Sequence, residues 1–123
     1  MTAAEDRERV GKLFAAIDAK NAEQFAAFLA DDARFSFGNA PPVVGRAAIA
    51  AAVGDFFGSV KGLEHSVSRV IRDGTTLVCL GEVSYTRHDD RVVTLPFADV
   101  LEERGSAFGD YRIYIDIGPL YAD

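Results

Sequence analysis

The spacing of apolar residues changes period once along this chain, and that change restricts the fold more than any other feature. Up to about residue 58 the apolar side chains recur at helical intervals: Val10, Leu13, Phe14 and Ile17, then Phe25, Phe28 and Leu29, then Ile49, Val53, Phe56 and Phe57. Beyond that point, segments 63–72, 75–87, 91–102 and 107–117 are strand-like. Turn formers separate them at Asp73-Gly74, His88-Asp89-Asp90 and Glu103-Arg104-Gly105. Helices followed by a meander of long strands predict an α+β protein. Its three N-terminal helices are expected in the concave face of a strongly curved, mostly antiparallel sheet, within one domain over residues 1–123.

Local signals place the first elements. Thr2-Ala3-Ala4-Glu5 has the spacing of a capping box, which predicts a helix from about Ala3 to Ala19. Asn21 is placed to cap a second helix, ended by Asp31-Asp32. Ala33 to Phe37 reads as a short strand, Gly38 to Gly45 with Pro41-Pro42 as a loop, and a third helix ends near Gly58.

Composition excludes several classes of function. Half the residues are hydrophobic (49%), enough for a core, while the net charge is −6 with a pI near 4.8. Phosphate recognition needs clustered Lys and Arg, so neither nucleic acid nor an anionic membrane is an expected partner. The single cysteine, Cys79, cannot form an intrachain disulfide and points to a cytoplasmic protein. It lies in the apolar run 76–80, where a core role is favoured over a nucleophilic one. The start of the chain lacks the apolar region of a signal peptide, and no run has the length of a membrane span. His65 and His88 have no metal-ligand spacing around them and there is no Gly-rich phosphate loop, so neither metal nor cofactor is expected.

Three carboxylates then stand out, because each interrupts a strand that otherwise reads as buried: Glu82, Asp99 and Asp116. A carboxylate there is costly unless it is paired, protonated or facing a wet cavity. Counting register from two-residue turns places His65 opposite Glu82, Glu82 opposite Phe97, and Phe97 opposite Arg112. One face then carries His65, Leu80, Glu82, Leu95, Phe97, Asp99, Arg112, Tyr114 and Asp116, as the wall of a ligand pocket would. The opposite face carries Cys79, Val83, Tyr85, Ala98, Val100, Ile113, Ile115 and Ile117, and is expected to pack against a second copy in a homodimer. A single bulge would exchange the faces.

If the register holds, His65 with Glu82 makes a general-base pair, and Asp99, sharing a dry cavity with Glu82, carries a raised pKa. Arg112 would hold an anionic group and Tyr114 a carbonyl. Structural readings stay open beside these: an ion pair of Arg112 with Asp99, Asp110 or Asp116, a hydrogen-bonding role for His65 at the pocket mouth, and a solvated stripe at Glu82, Ser84 and Thr86.

The order of elements resembles the SnoaL-like members of the nuclear transport factor two-like (cone-shaped α+β barrel) superfamily. The resemblance is carried by Phe28 to Phe35 (FLADDARF), by Pro41 to Ile49 (PPVVGRAAI), by Phe97 to Leu101 (FADVL) and by Tyr111 to Asp116 (YRIYID). It implies a fold shared by isomerases, hydrolases, dehydratases, polyketide cyclases and non-catalytic binders. Against ketosteroid isomerases, Asp99 matches the protonated oxyanion-donor Asp. The base position falls near Ser36 or Phe37 and the Tyr position near Leu13 or Phe14, so that activity is not expected. Against limonene-epoxide-hydrolase-like enzymes, Glu82 and Asp116 match the two acids. Leu80 stands where the Arg would be, and Phe35 and Phe37 where the water-holding Tyr and Asn would be.

The expected function is therefore cofactor-independent acid–base work (isomerase, cyclase, dehydratase or hydrolase) on a small apolar or carbonyl-bearing molecule. Glu82 or Asp116 would be the base, His65 would assist, and Asp99 would be acid or oxyanion donor. Phe14, Phe35, Phe37, Phe57, Phe97, Arg112 and Tyr114 would bind the substrate. The alternative is a non-catalytic ligand-binding or dimerisation domain.

Overall fold

Thr2 and Glu5 form the capping box that their spacing predicts. The Thr2 hydroxyl accepts from the Glu5 N–H, and the Glu5 carboxylate accepts from the Thr2 N–H, both at 3.1 Å. A computed structural model describes residues 2–122. Its elements are α1 (Ala3–Asp18), α2 (Ala22–Ala26), β1 (Leu29–Phe37), β2 (Val43–Val44), α3 (Arg46–Gly58), β3 (Gly62–Asp73), β4 (Thr76–Thr86), β5 (Val92–Arg104) and β6 (Ala107–Tyr114), followed by a short 3₁₀ turn at Gly118–Tyr121.

Element boundaries differ from the sequence reading around β1, and the last strand ends at Tyr114 rather than near 117. Asn21 does cap α2, accepting from the Gln24 N–H at 3.0 Å, but that helix ends at Ala26. Leu29 instead pairs with Phe108 of β6, and the Phe28 carbonyl accepts from the Phe108 N–H at 2.9 Å, so sheet pairing wins over helical periodicity. Asp31 and Asp32 consequently lie inside β1 rather than at a helix end, where they pair with Arg46 and Arg104. The proline loop also contains β2, whose Val43 and Val44 pair with Phe35 and Arg34.

The six strands form one mixed sheet in the order β2-β1-β6-β5-β4-β3, parallel only where β1 meets β6. The sheet is open, with β2 and β3 at its edges, so the cone does not close into a barrel. The helices cover one face. Leu13, Ile17, Phe25, Ile49, Val53 and Phe57 pack there with Leu77, Val83, Leu101, Phe108 and Tyr111.

A half-buried ion network pins α1 to the far ends of the strands. Arg72 donates to both oxygens of Asp6 at 2.8 Å and to both oxygens of Glu103 at 2.7 and 3.1 Å. Arg9 completes it, donating to Glu103 at 2.5 Å while lying 4.1 Å above the Phe108 ring. Hydrogen bonding to Arg72 holds both the Asp6 and the Glu103 carboxyls below their ordinary range.

Ladder register departs from the two-residue-turn count in every hairpin. Asp73 pairs with Thr76, and a bulge between Val67 and Arg69 then sets His65 opposite Val83, not Glu82. Gly81 makes room for that bulge, since a Cβ there would lie 2.1 Å from the Ser66 carbonyl oxygen. Residues 87–91 form a five-residue connection, so Glu82 faces Pro96 rather than Phe97. A bulge at Glu102/Glu103 sets Asp99 opposite Ile113, and Arg112 opposite Val100 rather than Phe97. The three ladders are offset by one, one and three residues, each an odd number. Each odd offset exchanges the faces of adjoining strands.

Candidate active site

The corrected register assembles a cavity of about 230 Å³ between the helices and the inner face of the sheet. Its wall is apolar apart from four side chains: His65 on β3, Tyr85 on β4, Asp99 on β5 and Tyr111 on β6. Phe35, Phe37, Phe56, Phe57 and Phe97 supply much of the rest, with Ala40, Pro41 and Val43 from the segment joining β1 and β2. No lysine or arginine lines it among the described residues.

Asp99 is the buried acid of this wall, 2% exposed. Its strand alternates Leu95, Phe97, Asp99 and Leu101 inward, so its direction is fixed by three apolar neighbours. The Tyr111 hydroxyl, diagonal across the β5–β6 ladder, donates to Asp99 Oδ2 at 3.1 Å. Asp99 Oδ1 is enclosed without a hydrogen-bond partner. Burial pushes the carboxyl up to about 8, outweighing the lowering effect of the Tyr111 hydrogen bond. At neutral pH Asp99 is therefore a carboxylic acid, and Oδ1 is the oxygen left to carry its proton.

Burial also raises its neighbours. Tyr111 and Tyr85 lie above the ordinary phenol range, first from burial and then from the Asp99 charge. Cys79, opposite Asp99 on β4, is pushed up to about 12 by the same two causes and is fully buried. It is a core thiol without thiolate character.

His65 supplies the second polar centre through a partner absent from the sequence reading. Asp18, the last residue of α1, accepts from the His65 backbone N–H at 3.0 Å and lies 2.6 Å from its Nδ1. Holding both main chain and ring fixes the imidazole, which is also packed against Phe14 and Phe97 with centroids at 4.8 and 5.2 Å. With Nδ1–H directed at the carboxylate, the neutral ring carries its lone pair on Nε2, which has no hydrogen-bond partner among the described residues. The arrangement is a carboxylate-oriented imidazole, the usual form of a histidine general base.

The other expected site residues fall outside the cavity. Glu82 is exposed on the outer face of β4, and Asp116 is exposed beyond the end of β6, accepting from the Gly118 N–H at 3.0 Å. Arg112 and Tyr114 point outward as well. Arg112 is half-buried 3.8 Å from Asp110, and Tyr114 is exposed. The physical reason is the odd ladder offsets, which turn β4 and β6 over relative to β3 and β5. Phe14 backs His65 rather than lining the cavity.

Three site residues escaped the sequence reading. Asp18 carried a signal, standing four residues after Phe14 at the border of the apolar stripe of α1. Tyr85 and Tyr111 are aromatic residues in strands, and nothing in their local pattern separates a pocket wall from core. No cluster of three metal-ligating side chains occurs among the described residues.

An open, helix-covered sheet around an apolar cavity is the arrangement of nuclear transport factor two-like proteins, and the comparisons agree. Residues 10–106 match the SnoaL-like domain, and the chain belongs to that family. An NTF2-like protein of unknown function from Burkholderia pseudomallei K96243 superposes with a TM-score of 0.85 at 17% identity, over 98% of this chain and 95% of that one. A protein from Jannaschia sp. CCS1 described as a SnoaL-like polyketide cyclase gives 0.82 at 16%, over 96% and 90%. An LEH-like epoxide hydrolase of M. tuberculosis gives 0.78 at 19%, over 94% and 86%. At these identities the likeness is one of fold. Comparison with curated proteins finds no relative.

Proposed function

We propose that the cavity takes a small, uncharged, largely apolar molecule bearing a carbonyl and moves a proton on it without a cofactor. One observation carries this reading. A buried carboxylic acid with an unpartnered oxygen shares an apolar cavity with a histidine oriented by Asp18. His65 Nε2 takes a proton from the carbon beside the carbonyl, and Asp18 stabilises the imidazolium. The electron pair moves to the carbonyl oxygen, which accepts a hydrogen bond from Asp99 O–H. Return of the proton from His65 to a different carbon completes an isomerisation. Attack of the enolate carbon on a second carbonyl, with His65 returning the proton to the new alkoxide, completes a cyclisation, and loss of a β-hydroxyl protonated by His65 as water completes a dehydration. The volume lies below the usual range for drug-sized ligands, which favours a compact substrate. Epoxide hydrolysis through Glu82 and Asp116 has no support, since neither lines the cavity.

The test is deuterium uptake from D₂O into the methyl group of cyclohexyl methyl ketone, followed by proton NMR. Wild-type protein accelerates the exchange, and His65→Ala and Asp99→Ala each lower it by about a hundredfold, the scale of one positioned acid or base. Binding of the ketone without accelerated exchange overturns the catalytic reading and leaves the binding one.

We also infer that a second copy covers the outer face of the sheet. Val78, Leu80, Ala98 and Val100 are half-buried there beside exposed Tyr114. Sedimentation velocity would give a dimer for the wild type and a monomer for Val100→Lys, and a monomeric wild type refutes the inference.

A further inference from the structure

The cavity has four polar side chains in its wall, and only Asp99 among them is an acid. It offers one carboxylic acid whose Oδ1 is unpartnered, no cation, and aromatic walls around that acid. Tyr111 bonds Asp99, and Phe25 packs edge-on and Phe35 tilted against Tyr111, with centroids at 5.4 and 5.5 Å. Phe97 precedes Asp99 by one inward position. Ring faces carry negative quadrupole density and attract a desolvated cation. A carboxylate in the same place lacks any counter-charge. The group that satisfies both is a compact organic cation carrying one N–H.

We propose that this cavity binds small lipophilic tertiary amines, held as ammonium ions against the Asp99 carboxylate. The proposal rests on the functional reading above only in requiring that a small apolar molecule can enter. Within the cavity the Asp99 O–H bond breaks and an N–H bond forms at the amine lone pair, so atoms and charge balance with no further reactant. The new ion pair meets both requirements at once: the carboxylate gains a partner, and the ammonium gains the aromatic faces. An amine so bound excludes a carbonyl substrate, since Asp99 has given up the proton with which it would donate a hydrogen bond.

The linkage to protons makes the proposal measurable. Asp99 holds its proton up to a pH of about 8, and an aliphatic amine holds one to about 10, as lysine does. At pH 7 both partners are protonated when free; the ammonium leaves its proton in solvent, Asp99 passes its own to the amine lone pair, and the complex retains one proton, so close to one proton is released per amine bound. Affinity therefore rises about tenfold per pH unit below pH 8 and levels off between 8 and 10.

The experiment is calorimetric titration of the whole protein with N,N-dimethylcyclohexylamine at pH 7, in two buffers of different ionisation enthalpy. Cyclohexyl methyl ketone, of nearly the same shape but uncharged, is titrated in parallel. The expected result is one amine per chain, release of close to one proton, and loss of at least tenfold in amine affinity for Asp99→Asn. Ketone binding without amine binding overturns this proposal while the functional reading stands. Amine binding without proton release also overturns it. Failure of both ligands to bind shows a closed cavity and overturns both readings. The proton count on the wild type needs no variant, so it decides even if Asp99→Asn does not fold.

Discussion

Asp99→Asn should make the protein more stable, and the gain should depend on pH in a way that isolates this one residue. The amide matches the neutral acid in shape, and its oxygen can still accept from the Tyr111 hydroxyl, so the variant keeps the 3.1 Å contact. In the wild type the carboxyl titrates at about 8 in the folded chain, against an ordinary value near 4 when unfolded. Between those two values the folded state binds the proton and the unfolded state has lost it, so rising pH favours unfolding. Each pH unit in that window costs about 1.4 kcal/mol, so stability falls by about 4 kcal/mol between pH 5 and pH 8 from this group alone. That is a large fraction of the 5–15 kcal/mol typical of a whole domain. Asparagine does not titrate. Urea denaturation of both proteins, taken as a difference at each pH, cancels every other titrating group. The difference should widen by about 4 kcal/mol from pH 5 to pH 8 and then flatten. Parallel curves over this range would show that the folded carboxyl ionises as an exposed one does, and would remove the neutral acid from both proposals for the cavity.

Asp18→Asn should lower ketone exchange by about tenfold to a hundredfold while leaving ketone affinity in place, because the imidazolium loses its counter-charge but the ring keeps its packing. Nitrogen-15 NMR of His65 should show Nε2 as the unprotonated nitrogen in the wild type, and a mixture of tautomers in the variant. Arg72→Met should cost about 2–3 kcal/mol in urea denaturation. That is less than a fully buried pair because water reaches the guanidinium, and it leaves Asp6 and Glu103 without their shared cation. Both carboxyls are held low by Arg72, so the stability they contribute is present above pH 4 and lost as pH falls, and the variant should be less acid-sensitive in that range. Gly81→Ala should destabilise by about 1–3 kcal/mol, since its Cβ meets the Ser66 main chain at 2.1 Å and the bulge must move, and an unchanged melting temperature would refute the role given to that glycine.

The fold was legible because its signals are local and redundant. The capping box, the helical spacing of Ile49, Val53 and Phe57, and the four long strand segments each survive an error of a residue or two at their ends. The end of the second helix was not, because Phe28 and Leu29 fit both a helical stripe and a strand. Only the pairing of Leu29 with Phe108, about eighty residues away, decides between them.

Face assignment is a different kind of inference, since it counts parity along a ladder and one extra residue inverts everything beyond it. Bulges at Val67/Arg69 and Glu102/Glu103, together with a five-residue turn, did this three times. Two inversions cancel, and so His65 and Asp99, on β3 and β5, came out on one face, while Glu82, Arg112, Tyr114 and Asp116 were carried onto it from strands that point away. What separates Asp99 from Glu82 is visible without any ladder. Asp99 has Phe97 and Leu101 at two residues on either side, so its own strand commits it to the interior. Glu82 has Leu80 and Ser84 in those positions, and both lie with it on the outer face. Alternation within a strand therefore identifies a buried acid more safely than register between strands. The partners that give such an acid its chemistry, Tyr111 across the ladder and the Asp18-held His65 beyond it, are fixed by bulge positions that a single sequence does not encode as a pattern.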